Sequence, residues 1–130
     1  MERQQINPWT WQKRLGIAHA WRVDGPSTIV FLSGQGPLDD EGQVVGVGDF
    51  EAQTRRVFEN IGTVLKQAGG SFASIVRLTV YVTDMRMIAD YLRVRDEFID
   101  RSVPPASAAL GVASLAFPGM MIEVDTIAVL

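Results

Sequence analysis

Residues 50–84 read FEAQTRRVFENIGTVLKQAGGSFASIVRLTVYVTD, a stretch that predicts a helix followed by a strand. In its first half, apolar residues recur at the spacing of one helix face, at Phe50, Val57, Phe58, Ile61, Val64, Leu65 and Ala68. Asp49 is a suitable N-cap, and Gly69-Gly70 ends the helix. Residues 75–83 alternate and carry apolar side chains on both faces, which predicts a strand covered at least partly on both sides.

Downstream of this stretch, the sequence predicts a second helix and two strands. Asp84 can cap a helix whose apolar stripe contains one arginine, and that helix ends before Pro104-Pro105. The stripe consists of Ile88, Tyr91, Leu92, Arg95, Phe98 and Ile99. Strands are predicted over residues 107–112 and 121–130.

Upstream of it, two strands over residues 18–23 and 28–32 flank the turn residues Asp24-Gly25-Pro26-Ser27 and predict a hairpin. An acidic turn at residues 39–42 precedes a short strand over residues 43–47. Residues 1–15 are interpreted as an N-terminal tail in which Trp9 and Trp11 pack against the domain. The predicted fold is α+β, with a single domain over residues 1–130.

Composition excludes several functional classes. Hydrophobic residues make up 47% and charged residues 21% of the 130 residues, as expected for one globular core. A net charge of −3 without a basic cluster argues against nucleic acid or an anionic membrane as partner. With no cysteine and one histidine, no metal site is expected. No signal peptide or membrane-spanning segment is apparent, so we expect a cytoplasmic location.

The predicted helices leave part of the sheet without a partner. Two helices cover only one face of a sheet of about six strands. The opposite face is too apolar to be exposed to water, and closed homo-oligomers are the usual way to bury such a face.

Several segments together resemble the Rid/YjgF family. They are Ser33-Gly34-Gln35, FEAQTRRVFENI at residues 50–61, IVRLTVYVTD at 75–84, PPASAALGV at 104–112 and IEVDTIAV at 122–129. The resemblance implies a chorismate-mutase-like fold, with a mixed six-stranded sheet and two helices on one face. It also implies a homotrimer with small-molecule clefts between subunits. Active members hydrolyse enamines and imines to carbonyl compounds and ammonia, without a cofactor.

The resemblance also assigns positions to the cleft. Ser107 replaces the arginine that binds the substrate carboxylate in deaminating members, and Ala109 replaces a cysteine two residues later. Ile17 and Leu92 take the places of a tyrosine and an asparagine. A lost arginine–carboxylate contact costs about 2–5 kcal/mol in a partly dry cleft. We therefore expect a more apolar cleft than in an imino-acid deaminase.

Glu123 keeps the family's carboxylate on the last strand, where it either positions water or is one of a structural pair with Asp125. Ser33 and Gly34 either let a ligand approach the backbone or simply end a strand. His19, Arg22 and Arg77 are further candidates for the cleft, although lone strand residues of these types are more often structural.

Two functions therefore remain open. One is an enzyme that acts on an enamine, an imine or a similarly labile C–N or enol substrate and does not need the usual carboxylate-binding arginine. The other is a non-catalytic trimeric module that binds a small molecule or a protein. Ser107 and Ile17 favour the second function or a changed substrate, whereas Glu123 favours the first.

Overall fold

The computed structural model describes residues 1–130 and confirms an α+β fold with two α-helices and six strands. Short 3-10 turns at Trp11–Leu15, Phe72–Ser74 and Met85–Met87 complete the chain. In chain order, the strands and helices are β1 (Glu2–Ile6), β2 (Ala20–Asp24), β3 (Ile29–Gln35), α1 (Phe50–Gln67), β4 (Ile75–Val82), α2 (Ile88–Arg95), β5 (Ala106–Gly111) and β6 (Ile122–Val129).

The strands form a four-stranded sheet in the order β3-β6-β4-β5 and a separate pair, β1-β2. Within the larger sheet only β4 and β5 are parallel, so the sheet is mixed as predicted. A single bridge between Ala18 and Ala106 connects the β2 end of the pair to the outer edge of β5. The six strands are thus continuous only through that bridge.

Three local predictions differ from the structure. The presumed tail contains β1, whose Arg3 lies 4.7 Å from the centroid of the Trp21 ring. The predicted hairpin does not form, because β2 pairs with β1 while β3 pairs with β6. Residues 43–47 contribute only one bridge, between Leu38 and Val44. The left-handed φ of 62° at Gly46 interrupts the extended backbone there.

Helix α1 is built as its sequence predicts. The Asp49 carboxylate accepts a hydrogen bond from the Ala52 N–H at 3.0 Å and so caps the first turn. Gly69, with φ of 87°, follows the last turn. The apolar stripe of α1 is fully buried against the sheet at Val57, Phe58, Ile61 and Leu65.

Helix α2 is shorter than the sequence predicts. A 3-10 turn precedes it, with the Asp84 side chain accepting from the Arg86 N–H, and α2 itself ends at Arg95. Phe98 and Ile99 still pack on the core from the following turn. Neither helix has the length and apolarity that crossing a bilayer requires.

The helices cover one face of the four-stranded sheet, and the other face is open. Leu78, Val80 and Val124 are fully buried beneath the helices. On the opposite side, Phe31 is 74% exposed and Ile29 is 51% exposed, and both lie on β3. The expected uncovered apolar surface is therefore present, and we refer to it as the open face.

Candidate functional site

A cavity of about 140 Å³ lies between α2, β5 and the loop after the first 3-10 turn. Four of the predicted cleft residues line it together: Ile17, Leu92, Ser107 and Ala109. The remaining lining residues are Leu15, Val80, Ile88, Tyr91, Arg95 and Ala108. Eight of the ten are hydrophobic, which agrees with the expected apolar character.

The strand register explains why the β5 residues reach this cavity. β5 runs parallel to β4, with Ser107 opposite Leu78 and Ala109 opposite Val80. Because paired residues project to the same side of a sheet, Ser107 and Ala109 point toward α2. Ile17 follows Gly16, whose left-handed φ of 62° turns the chain into the bridge beside β5.

Two polar residues of the cavity, Arg95 and Tyr91, were not predicted as cavity residues from the sequence. Arg95 is only 1% exposed, and its Nε and Nη2 donate to Asp96 at 3.2 and 2.9 Å. Nη2 also donates to the Leu15 carbonyl at 3.3 Å. The Tyr91 hydroxyl is buried without a hydrogen-bond partner, and burial raises its pKa. The sequence feature that could have indicated a buried charge is Arg95, which lies within the apolar stripe of α2. An arginine is almost never fully buried unless it is paired, so this position also implied a partner.

Ser33, Gly34 and Glu123 form a second group, on the open face. The strand pairing shifts between Leu32 and Gln35, and this irregularity brings Gly34 against β6. A Cβ atom at Gly34 would lie 2.8 Å from the Glu123 carboxylate and 2.9 Å from Asp125 Oδ1. Glycine is thus needed for the close approach of β3 to the two carboxylates.

The surroundings of Glu123 favour its protonated form more than water does. Desolvation raises the pKa of Glu123, and the negative charge of Asp125 raises it further. Asp125 also accepts a hydrogen bond from the Tyr81 hydroxyl at 3.3 Å. The charge of Asp125 is the largest cause that raises the pKa of Tyr81, which therefore remains a donor.

The two groups lie on opposite faces of the sheet. Glu123 is paired with Tyr81 on the open face, whereas Ser107 is paired with Leu78 on the helix-covered face. The sheet itself separates them, so one chain does not bring Glu123 into the cavity. A second copy of the chain would be needed to do so.

The other candidate residues lie outside the cavity. Arg22 is exposed and pairs with Asp24 at 2.9 Å. Arg77 lines a groove on the open face with Ser33, Gly34 and Asp125. The His19 ring makes edge contacts with Trp9 and Trp11, at centroid distances of 5.0 and 4.5 Å. No group of three or more acidic, histidine or cysteine side chains is arranged to hold a metal ion.

Fold and cavity together define a class of small α+β domains that bury one sheet face under two helices and leave the other face exposed. The sequence profile of the family described as Endoribonuclease L-PSP matches residues 19–130. This chain belongs to that family, which is the same Rid/YjgF family that its sequence segments resemble.

Individual relatives agree with this assignment. Protein DfrA of Myxococcus xanthus is 36% identical over 132 residues, covering 99% of this chain and 97% of its own length. A RutC family protein of Pyrococcus abyssi is 37% identical over 100 residues and covers 77% of each chain.

Solved structures give the same result. The Rid family protein YyfB of Yersinia pestis superposes with a TM-score of 0.86 at 32% identity, over 100% of both chains. RidA from an Antarctic Psychrobacter superposes with a TM-score of 0.72 at 31% identity, over 87% of both chains.

Proposed function

We propose that this protein binds a small reactive metabolite in a cleft between subunits of a homotrimer and hydrolyses an enamine or imine there. The observation that carries the proposal is the convergence of Ile17, Leu92, Ser107 and Ala109 on one cavity, at the positions that the family uses for its cleft. Such a largely apolar cavity with a few polar groups is typical of small-molecule sites.

Assembly would complete the site, since Glu123 lies on the opposite side of the sheet from Ser107 in the same chain. In the proposed trimer, the Glu123 group of one subunit faces the cavity of its neighbour. Gly34 belongs to the same subunit as this Glu123 and lets the carboxylate lie close to β3, because a Cβ atom there would be 2.8 Å away from it.

The proposed chemistry needs one carboxylate and one water molecule. An enamine first takes a proton on carbon and becomes the imine. Glu123 takes a proton from water as the water oxygen adds to the imine carbon, and it passes that proton to the nitrogen, which gives a carbinolamine. Glu123 then takes the hydroxyl proton and delivers it to the amine, and the carbon–nitrogen bond breaks as the carbonyl forms, so that ammonia leaves. A carboxyl with a raised pKa suits this exchange, because its ionised form is a stronger base than an ordinary carboxylate.

Imine hydrolysis can be tested by generating 2-iminopropanoate in situ and measuring keto-acid release with and without the protein. We expect the wild type to give far less acceleration than a deaminating member would, because Ser107 replaces the arginine that binds the substrate carboxylate, and Glu123→Gln to remove what acceleration there is. Glu41→Gln, in the exposed acidic turn, serves as the matched control and is expected to behave like the wild type. Sedimentation of each variant shows whether assembly is retained.

A non-catalytic binding module is the second candidate. The apolar residues at 17, 92 and 109, and Ser107 in place of the arginine, favour it. Release at the uncatalysed rate by the wild type would support this alternative, provided that a small molecule still shifts the NMR signals of cavity residues.

A further inference from the structure

The end of α2 that lines the cavity carries an excess of positive charge. Arg95 is buried at the cavity wall, and its only acidic partner is Asp96. Asp96 also accepts from Arg101 at 2.6 Å. One carboxylate is therefore shared between two guanidinium groups, which leaves a net positive charge beside the apolar lining. A buried charge that is incompletely compensated favours an anion.

Hydrogen-bond donors of α2 are also left over beside the cavity. The bonds of Arg95 use Nε and Nη2, which leaves Nη1 for another acceptor. Tyr91 precedes Arg95 by four residues on α2, so both side chains project from the same helix face. The buried Tyr91 hydroxyl has no partner in the chain, and such a group costs free energy unless a ligand satisfies it. Its raised pKa keeps it protonated and able to donate.

We propose that Arg95 and Tyr91 bind the carboxylate of a small aliphatic acid whose carbon chain fills the cavity between Ile17, Leu92 and Ala109. Ser107 lines the same cavity and lies within the proposed site. The cation is then supplied by α2 in place of the arginine that β5 lacks. This assignment rests on the proposed function and deepens it, because it names the substrate class and the residues that select it.

The cavity volume limits the size of the acid. A cavity of roughly 150 Å³ holds a molecule the size of benzene, and the cavity here is about 140 Å³. An acid of four carbons, such as butanoate or 2-oxobutanoate, is of this size. Butanamide has nearly the same shape without the charge and serves as the neutral comparison.

The experiment titrates the assembled protein with butanoate and with butanamide and follows backbone amide signals by NMR. We expect butanoate to bind about tenfold more tightly than butanamide, because a charged hydrogen bond is stronger than a neutral one. Arg95→Met is expected to remove that preference. Arg93→Met, which makes the same change at an exposed position of α2, is expected to keep it.

Tyr91→Phe provides a test that does not disturb the arginine. It removes a buried hydroxyl that has no partner in the chain, so the free energy of unfolding is expected to be unchanged or higher. Butanoate affinity is expected to fall several-fold in the same variant. A stable Tyr91→Phe protein with unchanged butanoate affinity would overturn the role of this hydroxyl.

Equal affinity of the wild type for butanoate and butanamide, or equal loss in the two methionine variants, would overturn the role of Arg95. These outcomes differ from failure of the proposed function. If butanoate binding depends on Arg95 but the protein does not hydrolyse imines, the carboxylate site is supported and only the proposed hydrolysis is rejected.

Discussion

At the scale of single residues, the two carboxylates of β6 differ in their surroundings. Asp125 accepts a hydrogen bond from Tyr81, whereas no side-chain donor contacts Glu123 and its charge lies beside that of Asp125. In the proposed function, the carboxylate without a donor would be the one that exchanges protons with the substrate. Asp125 would then contribute mainly its negative charge beside Glu123 and its hydrogen bond to Tyr81.

The raised pKa of Glu123 predicts a pH-dependent effect on stability. Its ordinary value is 4.5, and the folded chain holds the proton to higher pH than the unfolded chain does. Between 4.5 and the folded pKa, the free energy of unfolding therefore falls as pH rises. We expect Glu123→Gln to be more stable than the wild type at neutral pH.

This advantage should disappear below pH 4.5, where Glu123 is protonated in both states. Urea unfolding of both proteins across the acid range, at matched concentration, measures the difference. A stability difference that stays constant from acid to neutral pH would contradict a raised pKa.

Residue positions that follow a motif were predictable, whereas residues that depend on packing were not. Ile17, Leu92, Ser107 and Ala109 were placed by comparison with family segments, and all four line one cavity. Arg95 carries no such motif. Its burial depends on the Leu15 carbonyl, which is 80 residues away along the chain, and on the adjacent Asp96. Composition and periodicity do not reveal contacts of that kind.

At the scale of elements, α1 fixes the orientation of the sheet residues beneath it. Its stripe buries Phe58 and Ile61 completely, and its first turn depends on a single side-chain cap at Asp49. Both its start and its end were predictable, because capping and the glycine stop act through neighbouring residues. β1 was not predictable, because its sequence is mostly polar and does not show the alternation typical of a strand. It forms only by pairing with β2, where Arg3 contacts the Trp21 ring.

Removing the cap should weaken α1 measurably. Asp49→Ala leaves the Ala52 N–H without its side-chain acceptor and is expected to lower the free energy of unfolding by about 1 kcal/mol. Thermal unfolding at matched protein concentration measures this change. Glu59→Ala, at an exposed position of the same helix, is the control and should change stability by less than about 0.5 kcal/mol. Equal losses in both variants would show that the cap contributes nothing specific.

At the scale of the whole molecule, the proposed trimer would use the open face both for assembly and for the site. Its large apolar side chains include Phe31 and Ile29 on β3, and Ser33 and Gly34 continue the same strand toward Glu123. Burial of this face against other copies would cover the apolar residues and bring the Glu123 group toward a neighbouring cavity. The same surface would then provide both the stability of the oligomer and half of its cleft.

A charge placed on this face should therefore prevent assembly. Phe31 is 74% exposed in the single chain, and Phe31→Glu would place a like charge from every copy into the interface. We expect the wild type to sediment as a trimer at micromolar concentration and Phe31→Glu as a monomer. The variant should retain its far-ultraviolet circular dichroism, because Phe31 lies outside the core beneath the helices.

Val64→Glu is the matched control, since Val64 is 37% exposed on α1, on the helix-covered side of the sheet. It should remain trimeric. Because the proposed site needs two subunits, the Phe31→Glu monomer should also lose any imine hydrolysis, although its own cavity between α2 and β5 stays intact. A trimeric Phe31→Glu protein, or a wild type with the mass of one chain, would contradict assembly through the open face. Hydrolysis by a monomer would contradict a cleft shared between subunits.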